Sequence, residues 1–387
     1  MKIAWFVAAL DLVGGPGSHY SLHLMAVELS RRGHDVTVVT FLKGKTRVPA
    51  NVPYTVITTP HAESGRFGRT ALGMVKTLRA YEDRADIYIL NEPVRSYGVA
   101  LYRLLGGAVP VVQYARTELL VGRSRSWLKA WIIGALMRSS ISGFMAVSPY
   151  VAGLCRQWGV GESRVGVVPP SLDLDPLEAP IGVRAIAGAR PNGRFEILCI
   201  TRLIEGKGVD VLLRAASTLT FSFQLTIIGD GPERERLEAL AHRLGVADKV
   251  SFRGWLRHDE LIQASVYSEA DLFVHPSNSE GFGRSVLEAM AHGLAVVVSD
   301  AGGQPWLVGK GGVTFQAGDH LALAARITSL RGDACARTDI ARNARQRALQ
   351  FTSNATAGAF EHMCERFIAR PRDTPAGDVP EHPFVYD

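Results

Sequence analysis

Two acids, Glu280 and Glu288, stand eight residues apart on either side of the turn Gly281-Phe282-Gly283. The turn leads through Arg284 and Ser285 into the apolar pattern of Val286, Leu287, Ala289, Met290 and Ala291, which predicts a helix. Glycines at the start of a helix leave backbone N–H groups uncovered, and the helix dipole makes that end a place for an anion. Glu280 falls on the loop before the helix and Glu288 more than one turn inside it. An acid, an anion site and a second acid along one wall suit a ligand with sugar hydroxyls at one end, a diphosphate in the middle and a ribose at the other. Glu288 sits among apolar residues, where a charge needs a partner if buried, and a ribose diol is a fitting one. Arg284 at the helix start is unfavourable unless an anion is near, which points to phosphate, or else it is solvated.

A second pair of charges follows the apolar run Glu196 to Thr201. Arg202 and Lys207 both emerge at the carboxyl end of that predicted strand, where cations can stabilise charge growing on a leaving diphosphate. Near the N-terminus, Gly14-Gly15-Pro16-Gly17 separates the first apolar run from the helical pattern Leu22 to Leu29. A dinucleotide-binding loop is disfavoured there: Gly-x-Gly-x-x-Gly is not matched, and the second apolar run ends Val39-Thr40-Phe41-Leu42 with no acid for a ribose. Asp11, Glu92 and Glu118 each follow a predicted strand end.

The stretch from His275-Pro276-Ser277 through Gly293 to Ser299 and Gly302-Gly303 resembles the C-terminal half of the family 4 retaining glycosyltransferases, with their Glu-x7-Glu element. Thr201-Arg202-Leu203-Ile204-Glu205-Gly206-Lys207-Gly208 is similar to that family's basic loop. Four further blocks follow the family's order: Gly14-Gly15 with Arg32-Gly33-His34-Asp35-Val36, Val147-Ser148 with Pro169 and Asp173, Gly229-Asp230-Gly231-Pro232-Glu233, and Val250-Ser251-Phe252-Arg253-Gly254. The order of the blocks carries more weight than any one of them.

The resemblance implies an α/β protein of GT-B type: two doubly wound Rossmann-like domains facing a central cleft, with a C-terminal helix crossing back to the N-terminal domain. It implies that Glu288 holds the ribose, that Glu280 meets hydroxyls of the donor sugar, and that Arg202 and Lys207 stabilise the departing diphosphate. Gly15, Gly229, Leu256, Gly281, Phe282, Gly283, Arg284 and Ser285 complete the donor set, and Asp11, His19, Glu92, Arg116 and Glu118 form the acceptor side. The expected donor is a nucleoside diphosphate sugar, UDP first, used without metal or other cofactor, since no Asp-x-Asp element is evident. Three positions depart from the family pattern. Arg116 stands about where many members place a His, Trp306 replaces a customary acid, and Ala295 stands where proline is frequent.

The elements that position these groups are legible as short apolar runs alternating with helical patterns: Ile3 to Ala9, Val36 to Leu42, Ile87 to Leu90, Val109 to Val112 and Phe144 to Val147, then Glu196 to Thr201, Gln224 to Ile228, Val250 to Phe252, Leu272 to His275 and Ala295 to Ser299. Such runs predict parallel strands covered on both faces. The rhythm breaks at Pro169 to Arg194, rich in proline and glycine, which places the linker. The expected division is an N-terminal acceptor domain over 1–177 joined by a returning helix at about 352–370, a nucleotide-sugar domain over 178–351, and an irregular tail over 371–387.

At 387 residues, 47% of them hydrophobic, the chain suits two packed domains. Residues 1–180 hold 20 Lys and Arg against 13 Asp and Glu, a net of +7, whereas 181–387 hold 23 against 24, a net of −1. The basic half favours an anionic ligand or membrane surface, while no nucleic-acid motif accompanies it. The basic stretch Arg123 to Ile132, with Trp127 and Trp131 four apart, reads as a helix packed on the sheet, with peripheral membrane contact as the alternative. No apolar run approaches the roughly 18 residues of a spanning helix. The four cysteines form no Cys-x-x-Cys pair, as expected of a reduced, cytoplasmic protein without structural zinc. The expected activity is transfer of a sugar to a hydroxyl of a small soluble acceptor such as a sugar, cyclitol or natural-product scaffold. The rivals are a lipid or polysaccharide acceptor at a membrane, a sugar-nucleotide epimerase, and a partner subunit that binds nucleotide without turnover.

Overall fold

Short segments rich in branched and aromatic residues form thirteen parallel strands in two sheets among the described residues. The structure is a computed structural model and describes residues 1–59, 67–91, 96–116, 135, 138–172, 193–257, 260 and 266–369. Two units separate along the chain, Met1–Ser171 with the segment from Ser353 onward, and Leu172–Thr352.

The first unit holds a seven-stranded sheet in the order β3-β2-β1-β4-β5-β6-β7. The strands are β1 (Lys2–Val7), β2 (Asp35–Thr40), β3 (Thr55–Thr58), β4 (Ile87–Leu90), β5 (Val111–Ala115), β6 (Gly143–Ala146) and β7 (Val165–Val167). Ile3 lies opposite both Val36 and Ile87, so β1 is paired on both edges. Crossover helices at Gly17–Arg31, Ser96–Leu104 and Pro149–Gln157 join parallel neighbours, while Phe67–Ala80 carries the chain from the edge strand β3 across to β4, as parallel pairing requires. The chain order reverses between β1 and β4, and the glycine loop after β1 opens at that switch point, where ligands of such sheets bind.

The final helix, Ser353–Ala369, belongs to this unit. Phe360 stacks on Trp5 with ring centroids 5.1 Å apart, and both rings are buried. Two sheet glycines make room for the helix. A Cβ at Gly143 would come within 2.1 Å of the Phe367 ring, and one at Gly166 within 2.3 Å of Met363. At the helix flank Glu361 accepts from Arg32 at 2.6 Å and lies 2.7 Å from His34 Nε2, while Arg32 also reaches Asn354.

The second unit holds six strands in the order β10-β9-β8-β11-β12-β13. These are β8 (Phe195–Ile200), β9 (Phe223–Ile228), β10 (Val250–Phe252), β11 (Leu272–His275), β12 (Val296–Ser299) and β13 (Gly312–Phe315). Its switch point falls between β8 and β11, which pair at Leu272 and Phe273 with Ile197 and Leu198. The basic loop leaves β8 and the Glu280 loop leaves β11, so topology delivers both to one crevice.

Three strands, β3, β7 and β13, are absent from the sequence expectation. Each closes one edge of its sheet and is only three or four residues long, with β3 and β13 half exposed; β10, an equally short edge strand, was anticipated because Val250-Ser251-Phe252 falls within a block of the family resemblance. Residues 173–192 of the expected linker, the Trp127 and Trp131 stretch and the 371–387 tail lie outside the described residues. Cys155, Cys199 and Cys364 are buried and Cys335 is exposed, all as free thiols.

Candidate functional site

In the second unit the loop after β8 is pinned by close backbone approaches. Gly208 adopts a left-handed φ of 69°, and a Cβ there would come within 2.0 Å of the Pro276 carbonyl oxygen. This draws the β8 loop against the β11 loop. Lys207 Nζ then donates to Glu280 Oε2 at 2.6 Å, with Lys207 11% and Glu280 21% exposed. Burial raises the Glu280 carboxyl, but the Lys207 ion pair and the Arg202 charge work against it, and the group is held below its ordinary range. Arg202 is exposed beside the pair. One cation is thus committed to the acid while the other faces solvent.

The Glu280 backbone is held from behind. Gly303 N–H donates to the Glu280 carbonyl at 2.8 Å, and Gly302, with a φ of 68°, leaves no space for a side chain there. Gly283, with a φ of 96°, caps the Arg284–Ala291 helix, and Ser285 Oγ donates to the Ile200 carbonyl at 2.9 Å, tying the helix start to the end of β8. The Phe282 ring is buried against Trp306 and Phe351. Phe282 therefore offers a ligand its backbone only. The Trp306 side chain fills this aromatic cluster, and Arg347 lies over both Trp306 and Phe351 while donating to the Trp306 and Leu307 carbonyls.

Glu288 has protein partners of its own. Arg284 Nε donates to Glu288 Oε1 at 2.7 Å and the Tyr267 hydroxyl to Oε2 at 3.0 Å. Burial and the Glu288 charge push the Tyr267 phenol well above its ordinary pKa, so it remains a donor, and its ring stacks on His292 at 4.4 Å. Arg284 is thus neutralised by Glu288, which answers the electrostatic problem of a cation at a helix start. Gly229 N–H donates to the Gly254 carbonyl at 2.8 Å, bringing the β9 and β10 ends together, and Leu256 lies half-buried just beyond.

In the first unit the glycine loop is organised by Asp11. Its Oδ1 accepts from the N–H groups of Val13 and Gly14 at 3.0 and 3.1 Å, and Arg47 pairs with the same carboxylate. Burial raises the Asp11 carboxyl, yet Arg47 and the two N–H groups hold it below its usual range. Gly15 admits no side chain, since a Cβ there would come within 2.1 Å of the Asp11 carbonyl oxygen and 2.7 Å of His19 Nδ1. The Asp11 N–H donates to His19 Nδ1 at 3.1 Å, so the imidazole keeps its proton on Nε2. Burial and the nearby Arg116 lower the His19 pKa. Arg116 Nη1 donates to the Ser18 carbonyl at 2.7 Å and its guanidinium lies over Tyr114. Asp11, Gly15, His19 and Arg116 are therefore neighbours at the end of β1 and β5. Glu92 and Glu118 lie outside the described residues.

Two groups escape sequence reasoning. His275 and Gln304 form a buried hydrogen bond of 2.7 Å beside Glu280, and Tyr267 holds Glu288. The only hint in the sequence is that His275 adjoins Pro276-Ser277.

Residues 16–176 match the family described as Glycosyltransferase Family 4, and residues 186–347 match that described as Glycosyl transferases group 1. The chain is 30% identical over 186 residues to the lipopolysaccharide core biosynthesis glycosyltransferase LpsD of Rhizobium meliloti, covering 46% of this chain and 52% of that protein. It is 33% identical over 220 residues to a D-inositol 3-phosphate glycosyltransferase of Xylanimonas cellulosilytica, covering 54% and 52%. The chain spans about half the length of these curated relatives. Among solved structures, HepE of Anabaena in complex with UDP and glucose superposes with a TM-score of 0.74 at 22% identity, covering 94% of this chain and 98% of that one. At that identity the likeness shows the fold, and the fold is GT-B.

Proposed function

Because the chain belongs to the family 4 glycosyltransferases, we propose that it transfers a sugar, with retention at the anomeric carbon, from a nucleoside diphosphate sugar to a hydroxyl of a small soluble acceptor. The observation that carries the reading is the Lys207–Glu280 pair at the β8 and β11 ends, beside the Gly281 to Gly283 turn. Hydroxyls of the donor sugar meet Glu280. Arg202, Lys207 and the helix start bear the charge of the leaving diphosphate, where one such donor is worth about 2.7–4 kcal/mol. Turnover then needs no metal. Glu288, already oriented by Arg284 and Tyr267, takes the ribose, and Asp11, Gly15, His19 and Arg116 form the acceptor side.

In the reaction the bond from the anomeric carbon to the diphosphate oxygen breaks and a bond to the acceptor oxygen forms on the same face. The acceptor proton passes to the departing diphosphate. UDP is the first carrier to test, since HepE is described with UDP and glucose. A cyclitol-type acceptor is supported by the name of the D-inositol 3-phosphate relative. The lipopolysaccharide core relative favours a second reading, a lipid or polysaccharide acceptor reached at a membrane surface.

The test incubates the purified chain with UDP-glucose or GDP-mannose and a panel of sugars and cyclitols, and assigns the product by NMR. A new glycosidic bond with the donor's anomeric configuration supports the proposal. An epimerised nucleotide sugar, or no product and no donor hydrolysis, overturns it. Salt-sensitive flotation with anionic vesicles, lost in a folded Trp127→Ala/Trp131→Ala variant, would transfer the acceptor to the lipid class.

A further inference from the structure

The imidazole of His275, the last residue of β11, is oriented by a buried amide. Gln304 Nε2 donates to the Ser277 carbonyl at 3.1 Å and to Ser299 Oγ at 2.7 Å. A carbonyl only accepts, so the amide cannot be turned over, and Oε1 is the atom facing His275 Nδ1 at 2.7 Å. Nδ1 therefore carries the proton and donates. The other ring nitrogen, Nε2, presents a lone pair from a side chain only 3% exposed, and it faces Glu280 Oε2 at 3.9 Å. Among the described residues no donor reaches it.

Glu280 is an acceptor as well, fed by Lys207. Two acceptors this close, neither able to donate to the other, call for hydrogens from outside the protein. A cation is a poor source, because Lys207 already sits on the carboxylate and Arg202 acts on it from nearby. A neutral hydroxyl has neither conflict. Two hydroxyls on adjacent ring carbons can serve the two acceptors, one each.

We propose that His275 Nε2 accepts a hydrogen bond from the sugar hydroxyl next to the one taken by Glu280, which makes His275 a specificity-determining residue for a donor carrying that vicinal diol. The inference rests on the reading that Glu280 meets the transferred sugar. Burial, with the Lys207 charge beside it, outweighs the opposing pull of the Glu280 carboxylate and holds the His275 pKa below its ordinary 6.5, so the ring stays neutral and Nε2 stays an acceptor at physiological pH.

The experiment is titration calorimetry with UDP, GDP, UDP-glucose, GDP-mannose and the monodeoxy forms of the sugar nucleotide that binds more tightly. Wild type is expected to lose roughly tenfold or more in affinity at two adjacent hydroxyl positions. His275→Phe keeps a planar ring without the acceptor. It should weaken the intact donor by a similar factor, leave the bare diphosphate unchanged and erase the discrimination at one of the two positions. Gln304→Leu releases the tautomer and should act in the same direction, so the outcome does not depend on one variant folding. Wild type binding every monodeoxy donor within about twofold overturns the inference, as does a folded His275→Phe that weakens diphosphate and sugar nucleotide alike. If neither sugar nucleotide binds more tightly than its diphosphate, the donor reading itself fails.

Discussion

Gly302 lies against the backbone of Glu280 so closely that a Cβ at 302 would come within 2.2 Å of the Glu280 carbonyl oxygen. The same oxygen accepts from Gly303 N–H at 2.8 Å, so the loop after β12 fixes where the acid after β11 stands. Gly302→Ala combines a left-handed φ of 68° with this clash. A misplaced group in a positioned site costs on the order of a hundredfold in rate, and that is the expected loss in kcat for Gly302→Ala in a folded protein. Gly318→Ala is the control, because its φ is 83° but no atom lies within 4 Å of the added Cβ. Equal activity loss in both variants would show that backbone strain alone, rather than displacement of Glu280, is responsible.

Removing either cation beside Glu280 should slow transfer. Arg202→Ala and Lys207→Ala are each expected to lower turnover about a hundredfold or more without unfolding the second unit. Circular dichroism and initial rates on the same preparations check this. A folded double variant with normal turnover would remove the leaving-group role.

The pH profile follows from the direction of the Glu280 shift. Its folded pKa lies below the ordinary 4.5, so the carboxylate stays ionised into acid and the acid limb of kcat/KM belongs below the usual carboxylate range. The stabilisation it contributes is present above the unfolded pKa and lost as pH falls through the folded one. In Lys207→Met burial acts with one cation fewer against it, and the acid limb should move to higher pH. An unmoved limb would separate Glu280 from the titration that governs activity.

The C-terminal helix is expected to hold the first unit together. Phe360 is fully buried on Trp5, and Phe360→Ala should destabilise that unit by about 3–5 kcal/mol. Urea denaturation followed by a probe in each unit reads this. A loss shared equally by the Leu172–Thr352 unit would contradict an anchor confined to the first sheet.

Turnover should persist in excess EDTA, because the charge on the diphosphate is assigned to Arg202, Lys207 and the helix start. Abolition by EDTA with recovery in magnesium or manganese would replace that assignment with a metal.

Much of the architecture was written locally. Ile87 to Leu90 and Leu272 to His275 were legible as strands because a strand buried on both faces must be apolar throughout, and the Gly281 to Gly283 turn announced a helix start that the structure has at Arg284. The edge strands β3, β7 and β13 were not, since three or four residues that pair along one edge carry little pattern of their own, and β10, equally short, was legible only within a block of the family resemblance. The site divides in the same way. Glu280, Arg202 and Lys207 were singled out because they follow strand ends that a parallel sheet turns toward its ligands, Glu288 by its spacing from Glu280, and the roles proposed for all four come from the family resemblance. That Lys207 commits to Glu280, that Arg284 serves Glu288, that Asp11 organises its own loop and that Gln304 fixes the His275 tautomer are contacts across 73, 4, 3 and 29 residues. The helical and loop pairs were within reach of spacing alone. The long-range ones were decided by strand order: the β8 and β11 switch point brings Lys207 to Glu280, and the pairing of β12 beside β11 brings Gln304 to His275, side chains that nothing in their local sequence relates.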